Sequence, residues 1–345
     1  MMEFGIGFFG DLSYDEQSGK FRPAQQRLTE MVEEIKLADE LGLDVVALGE
    51  HHRADYAIAS TEVTLAALAT VTRRIKLASG VTVLSSQDPV KVYQDYAALD
   101  LLSGGRAEII AGRGSFTESF PLFGYDLENY DALFSEKLDL LIQLNREKEV
   151  SWKGKFRPPL ERQTVYPRAL DDREIPIWLA VGGTPGSIYR AGVLGLPLML
   201  AIIGGMPSQF KDHVEYYRKV YNDSGHPAEK MQLGIHSHTF IAGSASTLLS
   251  GYFPAYAAQM DRVGRSRGWP PYTRSQFEAG FSRHGALFMG SPQDVAEKIV
   301  SVSRQFGLTR FVAHMDVGDP GHEGMMESIR LFASEVVPAV KNALK

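Results

Sequence analysis

The chain has 345 residues, 44% of them hydrophobic, with a net charge of -6 and an isoelectric point of about 5.9. That is enough for a large buried core and lacks the basic stripe of a nucleic-acid surface; with no cysteine, disulfides and thiolate metal sites are excluded. No apolar run approaches membrane-span length, and the start, Met1-Met2-Glu3-Phe4, lacks the regions of a secretory leader, so a cytoplasmic globular protein is expected.

Phe4 to Phe9 is a short, Gly-punctuated apolar run and the expected first strand; residues 10–23 are expected as a loop. From Arg27, apolar residues recur at helical spacing (Leu28, Met31, Val32, Ile35, Ala38, Leu41) until Gly42. The run from Asp44 to Gly49 reads as a strand buried on both faces, and it ends in Glu50-His51-His52-Arg53. A second helix starts at Ser60-Thr61 and reaches about Arg73. Ile75 to Leu84 is the third strand, Asp88-Pro89 opens a third helix, and Arg106 to Gly112 is the fourth strand.

Residues 115–130 read as a mixed loop and 131–146 as a helix. Residues 150–175 are polar and irregular, enough for a small hairpin. Ile175 to Val181 is the fifth strand, followed by Gly182-Gly183-Thr184-Pro185-Gly186-Ser187 and a short helix to Gly195. Leu198 to Ile203 and Leu233 to Ala242 are the sixth and seventh strands, with a helix over 207–223 between them. Residues 243–286 have no clean period. A helix from Ser291-Pro292 to Phe306, an eighth strand from Thr309 to Met315 and an amphipathic helix from Glu323 to Leu344 complete the chain. Strands alternating with helices predict an α/β fold, a (β/α)8 TIM barrel in one domain, with insertions at about 150–175 and 243–286 on its C-terminal face.

That face is where such barrels carry chemistry. Glu50-His51-His52 at a strand end offers an imidazole as acid, base or hydrogen-bond donor, with Glu50 orienting a neighbour or forming a salt bridge; the alternative is a polar strand end satisfied by loop backbone and Arg53. His236 and His238 share one face of the seventh strand, so a metal held by His51, His52, His236 and His238 is an alternative. No Asp or Glu at a strand end completes that set, and no metal is expected. Arg113, between Gly112 and Gly114, has a fork suited to phosphate, or to an Asp partner. The 182–187 segment ends a strand and opens a helix, an arrangement that suits an anion; a simple capped turn is the alternative. Together with Arg113 it makes a two-sided phosphate clamp. Gly80, inside the third strand with Ser79, Val81 and Thr82, marks either a bulge or a ligand's close approach.

In this order and spacing the set resembles the luciferase-like monooxygenase family, the flavin-dependent barrel group that includes bacterial luciferase. The resemblance covers nearly the whole chain. It rests on Glu50-His51-His52, Gly80-Val81-Thr82, Asp100-Leu101-Leu102-Ser103-Gly104-Gly105-Arg106 leading into Gly112-Arg113-Gly114, Gly183-Thr184-Pro185-Gly186-Ser187, Gly195-Leu196-Pro197, Gly290-Ser291-Pro292 and the closing Leu331 to Pro338. It implies reduced FMN as co-substrate with O2, and Arg113, Thr184 and Ser187 around the phosphate with Gly112, Gly182 and Gly183. Ser79, Gly80 and Val81 lie against the flavin ring in this reading, in the family often with a non-prolyl cis peptide there. His51 then manages proton transfer, and 243–286 forms a mobile lid. A separate flavin reductase, a homodimer pairing through helices early in the chain, and a small organic substrate complete the implied picture.

The chain departs from the luciferases in two places. It reads Gly183-Thr184 where the α chain has Glu-Ser, and Gly112 where some carry a reactive cysteine, which removes that argument for a long-chain aldehyde; light emission is not expected. Other readings are an F420-dependent oxidoreductase on the same barrel, a non-catalytic flavin-binding protein and a metal-dependent hydrolase. No G-x-G-x-x-G fingerprint follows a strand, which fits an enzyme fed reduced flavin by a partner. Tyr14, Phe116, Phe120 and Phe123 are candidates for the substrate pocket or for core packing.

Overall fold

The computed structural model describes residues 2–345. Eight parallel strands close into a barrel: β1 (Glu3–Phe8), β2 (Val45–Leu48), β3 (Lys76–Ser79), β4 (Ala107–Gly112), β5 (Ile177–Val181), β6 (Leu198–Ala201), β7 (Leu233–Ile241) and β8 (Arg310–His314). Each pairs with its sequence neighbour, and β8 returns to β1 with Glu3 opposite Arg310 and Gly7 opposite His314. The helices between them include α1 (Ala24–Glu40), α2 (Thr61–Val71), α3 (Pro89–Ser103), α4 (Tyr130–Arg146), α5 (Pro185–Leu194) and α6 (Lys211–Asp223), with α7 (Phe253–Arg265) and α8 (Pro292–Phe306) after β7. This is the (β/α)8 architecture expected.

The period-2 alternation of the strands builds the interior in layers. Val46, Leu48, Phe311 and Ala313 pack outward under the helices. Val45, Ala47, Ala78, Ile110, Trp178, Met199 and Val312 form a second apolar cluster inside the barrel. Below it, at the strand starts, Arg310 is paired with Glu108 (2.6 Å) and Glu3, and stacks on Trp178 at 4.2 Å. Above it come His236, His238 and His314, continuing the inward faces of β7 and β8. The bottom is thus closed by an ion-pair layer, and the C-terminal end opens into the site.

Two glycines of β1 make this filling possible. A Cβ on Gly5 would stand 2.3 Å from Val45 Cγ1, and one on Gly7 would stand 2.4 Å from His236 Nε2. The glycines that punctuate the first strand are therefore the room into which Val45 and His236 fit.

The structure refines several expectations. The third strand stops at Ser79, and the chain resumes pairing with β4 only at Thr82–Val83 before a 3-10 turn over Leu84–Ser86. Residues 10–23 hold a two-stranded hairpin of Tyr14–Asp15 and Lys20–Phe21, and Glu149–Trp152 pairs with Leu160–Thr164 in the hairpin foreseen for 150–175. The region 115–130 contains a short helix, Ser119–Phe123. The region 243–286 is mostly helical, with α7 and Arg274–Phe281. The single cis peptide among the described residues is Tyr166–Pro167, so the bonds around Gly80 are trans, contrary to the expectation for that loop. No helix among the described residues is long and apolar enough to cross a membrane.

Candidate active site

The barrel mouth holds a cavity of about 1160 Å³, roofed by α7 and the segment that follows it. Of the residues singled out in the sequence, Glu50, His51, His52, Gly80, Val81, Gly112, Arg113, Gly182, Thr184, His236 and His238 all border it. They come from five different strand ends. Ser79, Gly183 and Ser187 do not border it.

The reason for Ser79 is the alternation itself. Gly80 faces inward, so Ser79 faces out, where its hydroxyl donates to Ile110 O at 3.2 Å and accepts from Ile110 N at 3.0 Å. It splices β3 to β4 where the ladder breaks. Gly80 itself is demanded by packing, since a Cβ there would lie 2.9 Å from that of Ala47. Gly112 is likewise held by Val81, 2.7 Å from where its Cβ would be. Gly183 faces Phe210 and His213, and the buried Ser187 lies in the first turn of α5 with its amide donating to Thr184 O at 3.0 Å.

Arg113 and Thr184, distant in sequence, meet at the cavity rim. The guanidinium donates from Nη2 to Thr184 Oγ1 at 3.0 Å, pairs with Asp131 and lies over the Tyr130 ring at 5.1 Å. Thr184 is the N-cap of α5 but its side chain caps nothing there, and the space beside Gly182 and Gly186 is open. A cation, a hydroxyl and an open helix N-terminus thus converge on one spot, which fits an anionic group such as a phosphate. The phosphate and Asp-partner readings of Arg113 are both present: Asp131 occupies the fork, and it is 73% exposed and easily displaced.

His51 is buried in an aromatic box of Phe9, Tyr56 and Phe116, with ring centroids 4.7, 4.3 and 4.4 Å away. Burial pushes its pKa down; Glu118, with Oε1 3.7 Å from His51 Nδ1, opposes this. The ring is neutral at working pH with a carboxylate beside it, a group able to take or give a proton. Glu118 was missed in the sequence because it lies in the stretch read as loop. Glu50 borders the cavity but has both oxygens engaged, accepting from Val83 N at 3.2 Å and from Gln87 Nε2 at 2.6 Å. It anchors the segment after β3 and is a positioning residue. It also draws the His52 pKa upward from 3.8 Å.

The floor is a row of buried imidazoles. His236 Nε2 lies 3.1 Å from His314 Nδ1, and His238 Nδ1 lies 2.8 Å from the Tyr256 hydroxyl. Burial lowers His236 to about 4 and His238 to about 3, and lowers His314 as well. His51, His52, His236 and His238 do not converge on one point among the described residues. The groups that do are Asp11, His314 and Asp316, beside the cavity, and Glu30, Glu34 and His322, away from it. Asp316, just past β8, joins Asp11 and His314 and not the set of four histidines. Asp316 already has a cation, however: Arg27 Nη2 stands 3.6 Å from its Oδ2, and its oxygens accept from Phe9 N and Gly10 N. Of the aromatic candidates only Phe116 borders the cavity; Phe120 is core, and Tyr14 and Phe123 are exposed.

Comparison with known proteins agrees with this fold. The family model for luciferase-like monooxygenases matches residues 2–310. The alkanal monooxygenase alpha chain of Photorhabdus laumondii is 26% identical over 347 residues, spanning 93% of this chain and 96% of that one. Two further relatives are matched over about half their length. An uncharacterized protein of Sinorhizobium fredii is 26% identical over 181 residues, 51% of each chain. The oxygenase component of a flavin-dependent trigonelline monooxygenase from Acinetobacter baylyi is 26% identical over 185 residues, 52% of this chain and 49% of that one. Among solved structures, the monooxygenase RslO1 of Streptomyces bottropensis superposes with a TM-score of 0.83 at 24% identity, covering 98% of this chain and 99% of that one. The oxygenating constituent of 3,6-diketocamphane monooxygenase from Pseudomonas putida, in complex with FMN, gives 0.75 at 20%, covering 98% of each. The F420-dependent tetrahydromethanopterin reductase of Methanopyrus kandleri gives 0.74 at 18%, covering 98% and 99%. At these identities the structures share the fold.

Proposed function

Because the chain belongs to the luciferase-like monooxygenase family, we propose that it is the oxygenase of a two-component system, taking reduced FMN from a separate reductase and using O2 to oxygenate a small organic substrate. The observation that carries this is the meeting of Arg113 and Thr184 at the open N-terminus of α5, on the rim of a cavity with room for a cofactor and more. Bound there, reduced flavin supplies the electrons that activate O2. Arg113, Thr184 and Gly182 hold its phosphate; Gly80 and Val81 offer a side-chain-poor wall to its ring. His51 moves the proton, with Glu118 steadying the charged imidazole and the Phe9, Tyr56 and Phe116 rings keeping water away.

The support for a reductase partner is the relative described as an oxygenase component. The same proposal places the enzyme in the cytoplasm, as a homodimer. Val63 of α2 and Leu101 and Leu102 of α3 are exposed apolar residues on two helices early in the chain, through which a second copy would pair; sedimentation at micromolar concentration tests this.

The deciding experiment titrates the protein with FMN and with F420, oxidised and reduced, and then mixes the reduced complex with oxygenated buffer. Tight reduced-FMN binding followed by an oxygen-dependent spectral transient supports the proposal; preference for F420 without an oxygen step reassigns the chain to hydride transfer. His51→Ala retains FMN affinity within about twofold but releases several-fold more hydrogen peroxide per flavin oxidised; unchanged coupling counts against its role. Asp131→Asn frees the Arg113 fork and tightens FMN by about two- to fivefold, the size of a released surface ion pair. Weaker binding in this variant makes Asp131 part of the cradle instead of a competitor.

A further inference from the structure

The cavity is larger than one cofactor needs. Single-ligand sites measure about 300–1,000 Å³, and this one encloses about 1160 Å³. With a flavin anchored at Arg113, space remains against the opposite wall, formed by His236 and His238 of β7, Tyr256 and Met260 of α7, and Trp269 and Tyr272 beyond it.

The polar groups of that wall are uncharged. His236 and His238 are held neutral by burial, and burial together with Asp316 keeps the nearby Asp11 carboxyl well above the ordinary range. Each histidine has one ring nitrogen engaged by the protein, His236 Nε2 with His314 and His238 Nδ1 with Tyr256. The other nitrogen of each, Nδ1 of His236 and Nε2 of His238, has no hydrogen-bond partner among the described residues, on a residue that borders the cavity. A polar atom left open there is positioned for a ligand. The one arginine or lysine bordering this side among the described residues, Arg267, stands exposed at the mouth between Phe116 and Trp269, at 4.9 and 5.1 Å. A charged ligand seated on the wall itself would be desolvated without a counter-ion.

We propose that the second occupant, the substrate of the enzyme described above, is an uncharged fused-ring aromatic compound carrying hydroxyl groups. Its rings pack on Tyr256, Trp269 and Tyr272, and its hydroxyls hydrogen-bond the open nitrogens of His236 and His238. A phenolic hydroxyl donates and accepts, so it satisfies an imidazole nitrogen in either tautomer. The assignment rests on the flavin reading only in giving the Arg113 end of the cavity to the cofactor.

The test measures binding of 1,5-dihydroxynaphthalene, naphthalene and 1-naphthoate to flavin-free and FMN-saturated protein, in the wild type and in His236→Phe and His238→Phe. The diol is expected to bind about tenfold tighter than naphthalene or naphthoate, and each substitution to remove most of that preference while naphthalene affinity stays the same. Long-range 1H–15N spectra of the wild type provide a second measure independent of the variants' folding: the diol, and not naphthalene, should shift both rings. Equal affinity for diol and naphthalene, tighter binding of naphthoate, or unshifted rings would overturn the assignment. FMN is titrated separately. Histidine-dependent diol binding without FMN binding leaves this assignment standing and removes the flavin reading; FMN binding without a diol preference does the reverse.

Discussion

Arg113→Ala should weaken FMN binding by about ten- to a hundredfold and leave riboflavin within about twofold, a difference that equilibrium titration of the two flavins reads directly. Hydrogen bonds to a charged partner contribute about 1.5–3 kcal/mol, and a bidentate guanidinium lies at the upper end. The two ligands differ only in the phosphate, so the comparison isolates contacts to it. The fold should tolerate the change. The carboxylate left behind, Asp131, is 73% exposed, so no buried charge is stranded. Thr184 and the free amides of α5 remain, and they set the residual affinity. Equal losses for FMN and riboflavin would mean that Arg113 braces the pocket through Tyr130 and never touches the phosphate. Greater salt sensitivity of FMN binding than of riboflavin binding, present in the wild type and absent in the variant, would instead show that Arg113 contacts the phosphate.

How far such a site can be read in advance depends on which physical rule places each residue. His51, Arg113 and Thr184 were legible because a buried apolar strand ends where a polar cluster begins, and in a β/α barrel every strand end reaches the same face. The same alternation should have separated Ser79 from Gly80: neighbours on a strand point to opposite sides, and only one can border the cavity. Glu118 and Asp316 were not legible. Glu118 sits in a five-residue helix's lead-in with no periodic signal, and Asp316 lies past the end of a strand whose inward residues, Arg310, Val312 and His314, belong to three different layers. The role of Gly7 is a matter of tertiary packing, since nothing local in β1 announces the His236 ring that needs the space. The helical roof over 243–286 was missed because Gly251, Pro254, Gly264, Gly268 and Pro270-Pro271 punctuate the segment, although α7 between them is amphipathic.

The largest effect on stability is expected from Arg27→Met, a change remote from the cavity in sequence and directly beneath it in space. Arg27 is 1% exposed and forks onto Glu34 at 2.9 to 3.1 Å, with Asp316 3.6 Å away. Glu34 keeps His322 at 2.9 Å when the guanidinium is removed. Asp316 keeps the amides of Phe9 and Gly10 and, 3.4 Å from Oδ1, the Nε2 of His314, a ring whose pKa burial lowers, so it is left as a buried charge without a cation. Breaking such a pair costs about 3–5 kcal/mol, and for a chain of this size that lowers Tm by roughly 4–7 °C. The loss should depend on pH. Burial already raises Asp316 to about 6, with Arg27 pulling it down, against an ordinary aspartate value of 3.8. The folded protein therefore holds this proton in a range where the unfolded chain has released it, so the group's contribution to stability falls as pH rises through about 4 to 6. Without Arg27 the folded value climbs further, and the deficit of the variant should be largest above neutrality and shrink as the solution is acidified toward pH 5. A gap in Tm that stays constant from pH 8 to pH 5 would show that Asp316 is not the group left exposed to the penalty. The effect reaches the site because Asp316 holds the amides of Phe9 and Gly10 at 3.1 and 2.7 Å, and Phe9 is a wall of both the His51 box and the His314 floor. An ion pair beneath the first helix thereby fixes the ring against which the proposed proton-transferring histidine is set, so the variant should also lose His51's depressed pKa at temperatures well below its own unfolding.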